Sequence, residues 1–349
     1  MRMLFSASRV AVYAGSFLVA STLATLSVPA LAAVVVSSPA NGAQIGSPFV
    51  LSATATVCSS QITAAMGYSL DNSADTTIVN GASVEAKVTS GTGSHILHVK
   101  AWGDAGSACV TDVAINVDSS TASAVIPADA ITVSGLQVLS GWVAQSDGGT
   151  DGASIGSTSL VSAPSLSGDA RLFANNYLDY GGERYYVTFG DDTTATNFFY
   201  DAWIYLPSPS TAIANLEMDM NQVMPNGQTV IFGFQCDGWS STWDYTANQG
   251  TPAKPVDVWL HSSAACNPRQ WSTNTWHHVQ VNYSRDDSGN VTYQSVWLDG
   301  AQSVLNATVP SAFALGWAPI LLTNFQLDGS LATSGTATAY LDDLTIYRW

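Results

Sequence analysis

Trp276-His277-His278-Val279-Gln280-Val281-Asn282-Tyr283 is followed by the turn residues Asp287-Ser288-Gly289. Thr292-Tyr293-Gln294-Ser295-Val296-Trp297-Leu298 then ends at Asp299-Gly300. Both runs are rich in β-branched and aromatic residues, and both are bounded by turn chemistry, so they read as consecutive antiparallel strands. The same texture extends in both directions. Strands are expected at Tyr185–Phe189, Asn197–Tyr205, Ala214–Met220, Thr229–Phe234, Val256–Leu260 and Ala337–Tyr347. Towards the N-terminus, Phe49–Val57, Met66–Leu70, Ile96–Trp102 and Val110–Val117 repeat the pattern on a shorter scale. Helical periodicity is weak throughout, which argues against an α/β enzyme fold and for an all-β chain of two sandwiches.

Composition narrows the class further. The 349 residues include 10 Lys plus Arg against 26 Asp plus Glu, a formal net charge of −16. So few cations cannot neutralise a nucleic-acid backbone. The 46% apolar content excludes global disorder, and the scarcity of Glu, Lys and Arg excludes a coiled coil.

The first 32 residues read as a secretory signal. Arg2 and Arg9 form a basic start, Val10–Leu26 is apolar, and Val28-Pro29-Ala30-Leu31-Ala32 supplies small residues for cleavage after Ala32. No later stretch approaches the ~18 to 20 apolar residues needed to span a bilayer, so the mature chain is expected to be secreted or held at the cell surface. Four cysteines suit an oxidising compartment. Of the three possible pairings, Cys58–Cys109 and Cys236–Cys266 are favoured, because each keeps its bond within one sandwich. The expected organisation is a first sandwich over 33–118, a Ser/Ala/Thr-rich joint over 119–130 and a second sandwich over 131–349.

Two resemblances refine this. Ser38-Pro39-Ala40-Asn41-Gly42, Phe49–Val57 and Ser94–Trp102 resemble the bacterial immunoglobulin-like modules that space or present a neighbouring domain. Trp276–Tyr283, Tyr293, Val296–Leu298 and Asp299-Gly300, with the closing run Ala339–Tyr347, resemble the concanavalin A-like lectin/glucanase jelly roll. That resemblance implies the fold more than the function, since jelly rolls serve as lectins, lyases, glycosidases and adhesive modules.

Leu216-Glu217-Met218-Asp219-Met220-Asn221-Gln222 carries the chemistry. Period-2 alternation puts Glu217, Asp219 and Asn221 on one face and the apolar residues on the other. Carboxylates in the middle of a strand need a wet, paired or functional face. The stretch resembles the laminarinase/lichenase strand, which implies Glu217 as nucleophile and Asp219 as assisting aspartate. It departs from that pattern at the acid/base position, where Asn221 or, with a bulge, Gln222 stands. An amide cannot supply the proton that glycoside cleavage needs.

Three readings follow. The first is a polysaccharide or cell-surface glycan bound on the concave sheet by Glu217, Asp219, Asn221 and Gln222, with Trp203, Trp239 and Trp243 as aromatic contacts. The second is a glycoside hydrolase using Glu217 with an acid from Asp237, Asp244 or Asp201. A lyase using His277 or His278 with Tyr283 is a weaker form of it, since only Arg171, Arg184, Arg269 and Arg285 could anchor a polyanion. The third is a structural or adhesive module. Asp342 and Asp343 are the expected ligands of a structural calcium, by resemblance to jelly rolls that hold one near the closing strand, with Asp191-Asp192, Asp286-Asp287 and Asp299 as other hard-oxygen candidates. Cys236–Tyr245 is expected to be an ordered loop carrying binding-site aromatics.

Overall fold

Strands carry nearly all of the regular structure in the computed structural model, which describes residues 34–117 and 126–349. The expected signal segment and residues 119–125 of the expected joint lie outside the described residues. Helix among the described residues is confined to the 3-10 turns Leu136–Val138, Ser210–Ala212 and Pro268–Gln270. None is long and apolar enough to cross a membrane.

The N-terminal part is a sandwich of two sheets. One holds Val35–Ser38, Phe49–Thr54 and Ser83–Val88. The other runs Ala43–Ile45, Ala108–Val117, Gly93–Gly103, Gln61–Leu70 and Val57–Cys58, with Thr77–Asn80 added at Gln61–Leu70. Leu51, Met66, Leu97, Val99 and Ile115 fill the space between them. The Cys58–Cys109 disulfide is present, with Cα atoms 5.8 Å apart, and it ties the short edge strand to Ala108–Val117.

The larger C-terminal part is a second sandwich. Its back sheet runs Ala153–Val161, Ala170–Leu178, Gly335–Arg348, Asn197–Tyr205, Trp276–Arg285, Asn290–Leu298 and Ala301–Pro310. Its site sheet runs Val143–Ser146, Gly182–Gly190, Leu321–Gly329, Ile213–Val223, Phe234–Asp237, Thr242–Asn248 and Asp257–Ala265. Neighbours are antiparallel, and each sheet takes strands from early, middle and late in the chain, the layout of a jelly roll. The core between the sheets is dense in aromatics. Phe173 of the back sheet stacks on Phe325 of the site sheet with ring centroids 4.9 Å apart.

The two sandwiches belong to one compact unit. Val50 of the first sandwich joins Trp203 and Trp276 of the second in a small apolar cluster. Lys87 forms an ion pair with Asp343 and sits 6.0 Å over the Trp203 ring.

The hairpin that opened the sequence reading is present as Trp276–Arg285 and Asn290–Leu298. Asn197–Tyr205 has the expected bounds. Two expectations change. Thr229–Phe234 is interrupted at Gly233, where a Cβ would collide with Thr246. Cys236–Tyr245 is a strand hairpin, not a loop, because Cys236 and Trp243 both face the core and pull the flanking backbone into the sheet. The Cys236–Cys266 bond, with Cα atoms 5.3 Å apart, closes that end of the site sheet.

Phe325→Ala removes a fully buried ring from the centre of this core and is expected to cost about 3–5 kcal/mol in urea-induced unfolding. Trp239→Ala, at a position 56% exposed, is expected to stay within about 0.5 kcal/mol of the parent. Equal losses for the two variants would contradict the layering described here.

Candidate functional site

Strand Ile213–Val223 lies in the middle of the site sheet, with hydrogen-bonded neighbours on both sides. Leu216, Met218 and Met220 pack into the core. The intervening Glu217, Asp219 and Asn221 therefore emerge on the outer face of the sheet, where they line a cleft of about 650 Å³. Strand Leu321–Gly329 presents Asn324 and Gln326 to the same cleft, and Gly182–Gly190 presents Arg184 and Tyr186.

Antiparallel register aligns these residues into a transverse row. Gln145, Arg184, Gln326, Glu217, Gln235, Asp244 and His261 stand opposite one another on seven successive strands. At ~4.8 Å per strand the row is about 29 Å long. A second row pairs Tyr186 with Asn324 and Asn324 with Asp219.

Amides hold the carboxyl groups in place. Gln326 Nε2 donates to Glu217 Oε1 at 2.7 Å and to Asp328 Oδ1 at 3.0 Å. Asn324 Nδ2 donates to Asp219 Oδ2 at 3.1 Å, and the backbone N–H of Phe234, next to the Gly233 interruption, donates to Asp219 Oδ1 at 2.9 Å. Glu217 and Asp219 are only 7% and 9% exposed, so they form the floor of the cleft and do not project into open solvent. Burial raises Glu217 well above the usual carboxylate range, and the charges of Asp219 and Asp328 add to the effect. Burial likewise raises Asp219 to about 7, against the bonds from Phe234 and Asn324. Asp328 is raised to about 7 for the same reason.

The other expected site residues are distributed differently. Gln222 faces away from the cleft, donating to Ala195 O at 2.9 Å and accepting from Arg285 Nε at 2.7 Å, because no bulge reverses the alternation there. Trp203 is on the back sheet, stacked on His278 with centroids 4.3 Å apart at the contact with the first sandwich. Trp243 is buried in the core against Phe234. Trp239 is exposed on the hairpin turn beside Tyr180 and Arg269, outside the cleft lining. The aromatics that do line the cleft are Tyr186, Trp259 and Trp317.

Of the expected acid partners, Asp237 and Asp244 lie on the site sheet, Asp244 in the same row as Glu217 two strands away, whereas Asp201 and the lyase residues are elsewhere. Asp201 is bound by His278 and Gln280 on the back sheet. His277 Nδ1 lies 2.7 Å from Asp299 Oδ2, and Tyr283 is buried in the core. Of the four arginines considered as anchors, Arg184 alone lines the cleft.

Asp342 is fully buried and accepts hydrogen bonds from Gln137, Ser165, Leu166 and Ser167. Asp343 is engaged by Lys87. Hydrogen-bond and ion-pair donors engage both carboxylates. Among the described residues, the group with metal-ligand spacing is Asp237, Asp244 and His261, whose ligand atoms lie within 4.8 Å of one another. It sits on the site sheet beyond Gln235.

Sequence reading did not single out Asn324, Gln326 and Asp328. Their signal was present in Leu322-Thr323-Asn324-Phe325-Gln326-Leu327-Asp328, which alternates as Glu217–Asn221 does.

No family model and no curated protein sequence matches the chain. Among solved structures it is similar to a carbohydrate-binding module of the β-sandwich superfamily, with 10% identity over 89% of this chain and 96% of that one and a TM-score of 0.31. It is similar to arcelin-5, a lectin-like defence protein from Phaseolus vulgaris, with 11% identity over 63% and 98% and a TM-score of 0.34. A family 7 alginate lyase in complex with product gives 13% identity over 54% and 83% and a TM-score of 0.28. At these values none of them assigns the chain a family or an activity.

The raised carboxyls have a thermodynamic consequence. Between the unfolded carboxyl range near pH 4 and the folded values near 7, the folded protein holds more protons than the unfolded chain, so these groups lower stability as pH rises through that interval. Thermal melts at about pH 5 and 8 should show the parent losing more stability on alkalinisation than an Asp219→Asn/Asp328→Asn variant. Identical pH profiles would mean that these carboxyls ionise as freely when folded as when unfolded.

Proposed function

We propose that the protein binds a glycan chain along the cleft of the site sheet. The transverse row of amide, guanidinium and carboxyl groups that crosses the strands beside Trp259 and Trp317 carries this reading. Flat aromatic faces suit the apolar faces of sugar rings, and carboxyl and amide groups suit their hydroxyls. A row about 29 Å long fits an extended oligosaccharide better than a single sugar. The two disulfides suit an exported protein. In this reading the first sandwich, as an immunoglobulin-like module, presents the second.

A second reading, polysaccharide hydrolysis, is favoured by one observation. Glu217 is held protonated to a higher pH than an ordinary carboxyl and stands two residues along the strand from Asp219 on the same face. A proton donor beside a second carboxyl is what glycoside cleavage requires.

Retention on a panel of insoluble polysaccharides, with reducing ends measured in the same tubes, separates the two. Retention without new reducing ends is expected, with Trp259→Ala weakening it about tenfold, or ~1.4 kcal/mol. Release of reducing sugar that Glu217→Gln abolishes would replace binding with hydrolysis. Lack of retention across the panel would remove both.

A further inference from the structure

The charge and hydrogen-bonding character of the cleft narrows the ligand class, given the glycan reading above. Four carboxyl residues line it, Asp147, Glu217, Asp219 and Asp257, against one cation, Arg184. Asp328, two residues along the strand from Gln326, shares the Gln326 amide with Glu217. Acidic residues therefore outnumber cations in a partly desolvated place, where an added cation favours their ionisation and gains most and an added anion loses most.

Three amide oxygens around the floor are buried without a hydrogen-bond partner. Asn324 is 2% exposed and donates its amide N–H to Asp219, which leaves its Oδ1 without a partner. Gln235, 3% exposed and directly across from Glu217, has an unpartnered Oε1, and Asn221 has an unpartnered Oδ1. Buried acceptors without donors are costly, so their presence beside a cleft points to a donor supplied by the ligand.

We propose that the cleft takes an amino sugar with a free ammonium group, an oligomer of the glucosamine type, in preference to neutral or uronic-acid glycans. An ammonium carries three N–H donors and no acceptor, which matches the unpartnered oxygens. Its charge favours the ionised form of the cleft carboxyls and pairs with it, which a sugar hydroxyl does not do. Trp259 and Trp317 are aromatic faces over which a cationic sugar gains a further electrostatic attraction. A uronate would bring its carboxylate into a cleft lined by four acidic residues, whose ionisation it would oppose, with one guanidinium to receive it. N-acetylation removes the charge and adds a carbonyl acceptor, so it is expected to weaken binding as well.

Calorimetric titration of the full chain with glucosamine, N-acetylglucosamine, glucose and uronate hexamers at about 150 mM salt tests this. Long-range attraction to the acidic surface is largely screened at that ionic strength. The glucosamine hexamer is expected to bind at least tenfold more tightly than the others. Glu217→Gln/Asp219→Asn should reduce that preference to within about threefold. Because that pair is buried, Asp147→Asn/Asp257→Asn at the cleft margin serves as a second variant and should reduce the preference in the same direction. Equal or tighter binding of a neutral hexamer would overturn the amino-sugar assignment and leave the glycan reading in place. A glucosamine preference unchanged in both variants would show non-specific attraction to the acidic surface and overturn the assignment. Failure of every hexamer to bind would overturn both.

Discussion

Strand Ile213–Val223 is pinned by its alternation. Leu216, Met218 and Met220 are wholly buried in the aromatic core, each worth about 1.5–3 kcal/mol of burial. Shifting the strand by one residue would exchange those side chains for Glu217, Asp219 and Asn221 and put carboxylates into the core. Hydrogen-bonded neighbours on both edges remove the freedom to slip. The positions of the carboxyls on the outer face follow from that constraint, and the cleft is built around them.

Holding carboxyl groups on a shielded face has an energetic cost, and the protein offsets it locally. Amides from the next strand over, Asn324 and Gln326, point their N–H groups at Asp219 and Glu217. The interruption at Gly233 frees the Phe234 backbone N–H for Asp219. The compensation is incomplete. All three carboxyls remain shifted toward the protonated form, and several amide oxygens have no partner. Local rules of stability are broken here and obeyed elsewhere in the sandwich, the pattern expected where a fold accommodates a ligand.

The rest of the aromatic complement has structural roles. Trp243 and Phe234 fill the core, and Trp203, stacked on His278, carries the contact with the first sandwich through Val50. Counting tryptophans near an acidic strand in the sequence could not tell these roles apart, because a core position and a cleft position differ by one residue of register. Trp259 and Trp317 reach the cleft because one sits on an edge-side strand and the other on the loop before Leu321–Gly329.

The all-β class, the two sandwiches, both cysteine pairings and the shared face of Glu217, Asp219 and Asn221 were legible from the chain alone. Each rests on local properties: a period of two, turn residues, and distance along the sequence. The row that joins Gln145 to His261 was not legible, nor were the roles of Asn324 and Gln326, the burial of Trp243 and the removal of Gln222 to the far face. Those depend on which strands become neighbours and in what register. In a jelly roll that is settled by packing between segments a hundred residues apart, as in Asn324 against Asp219. The sequence therefore determined which side chains share a face, and the tertiary structure decided what that face meets.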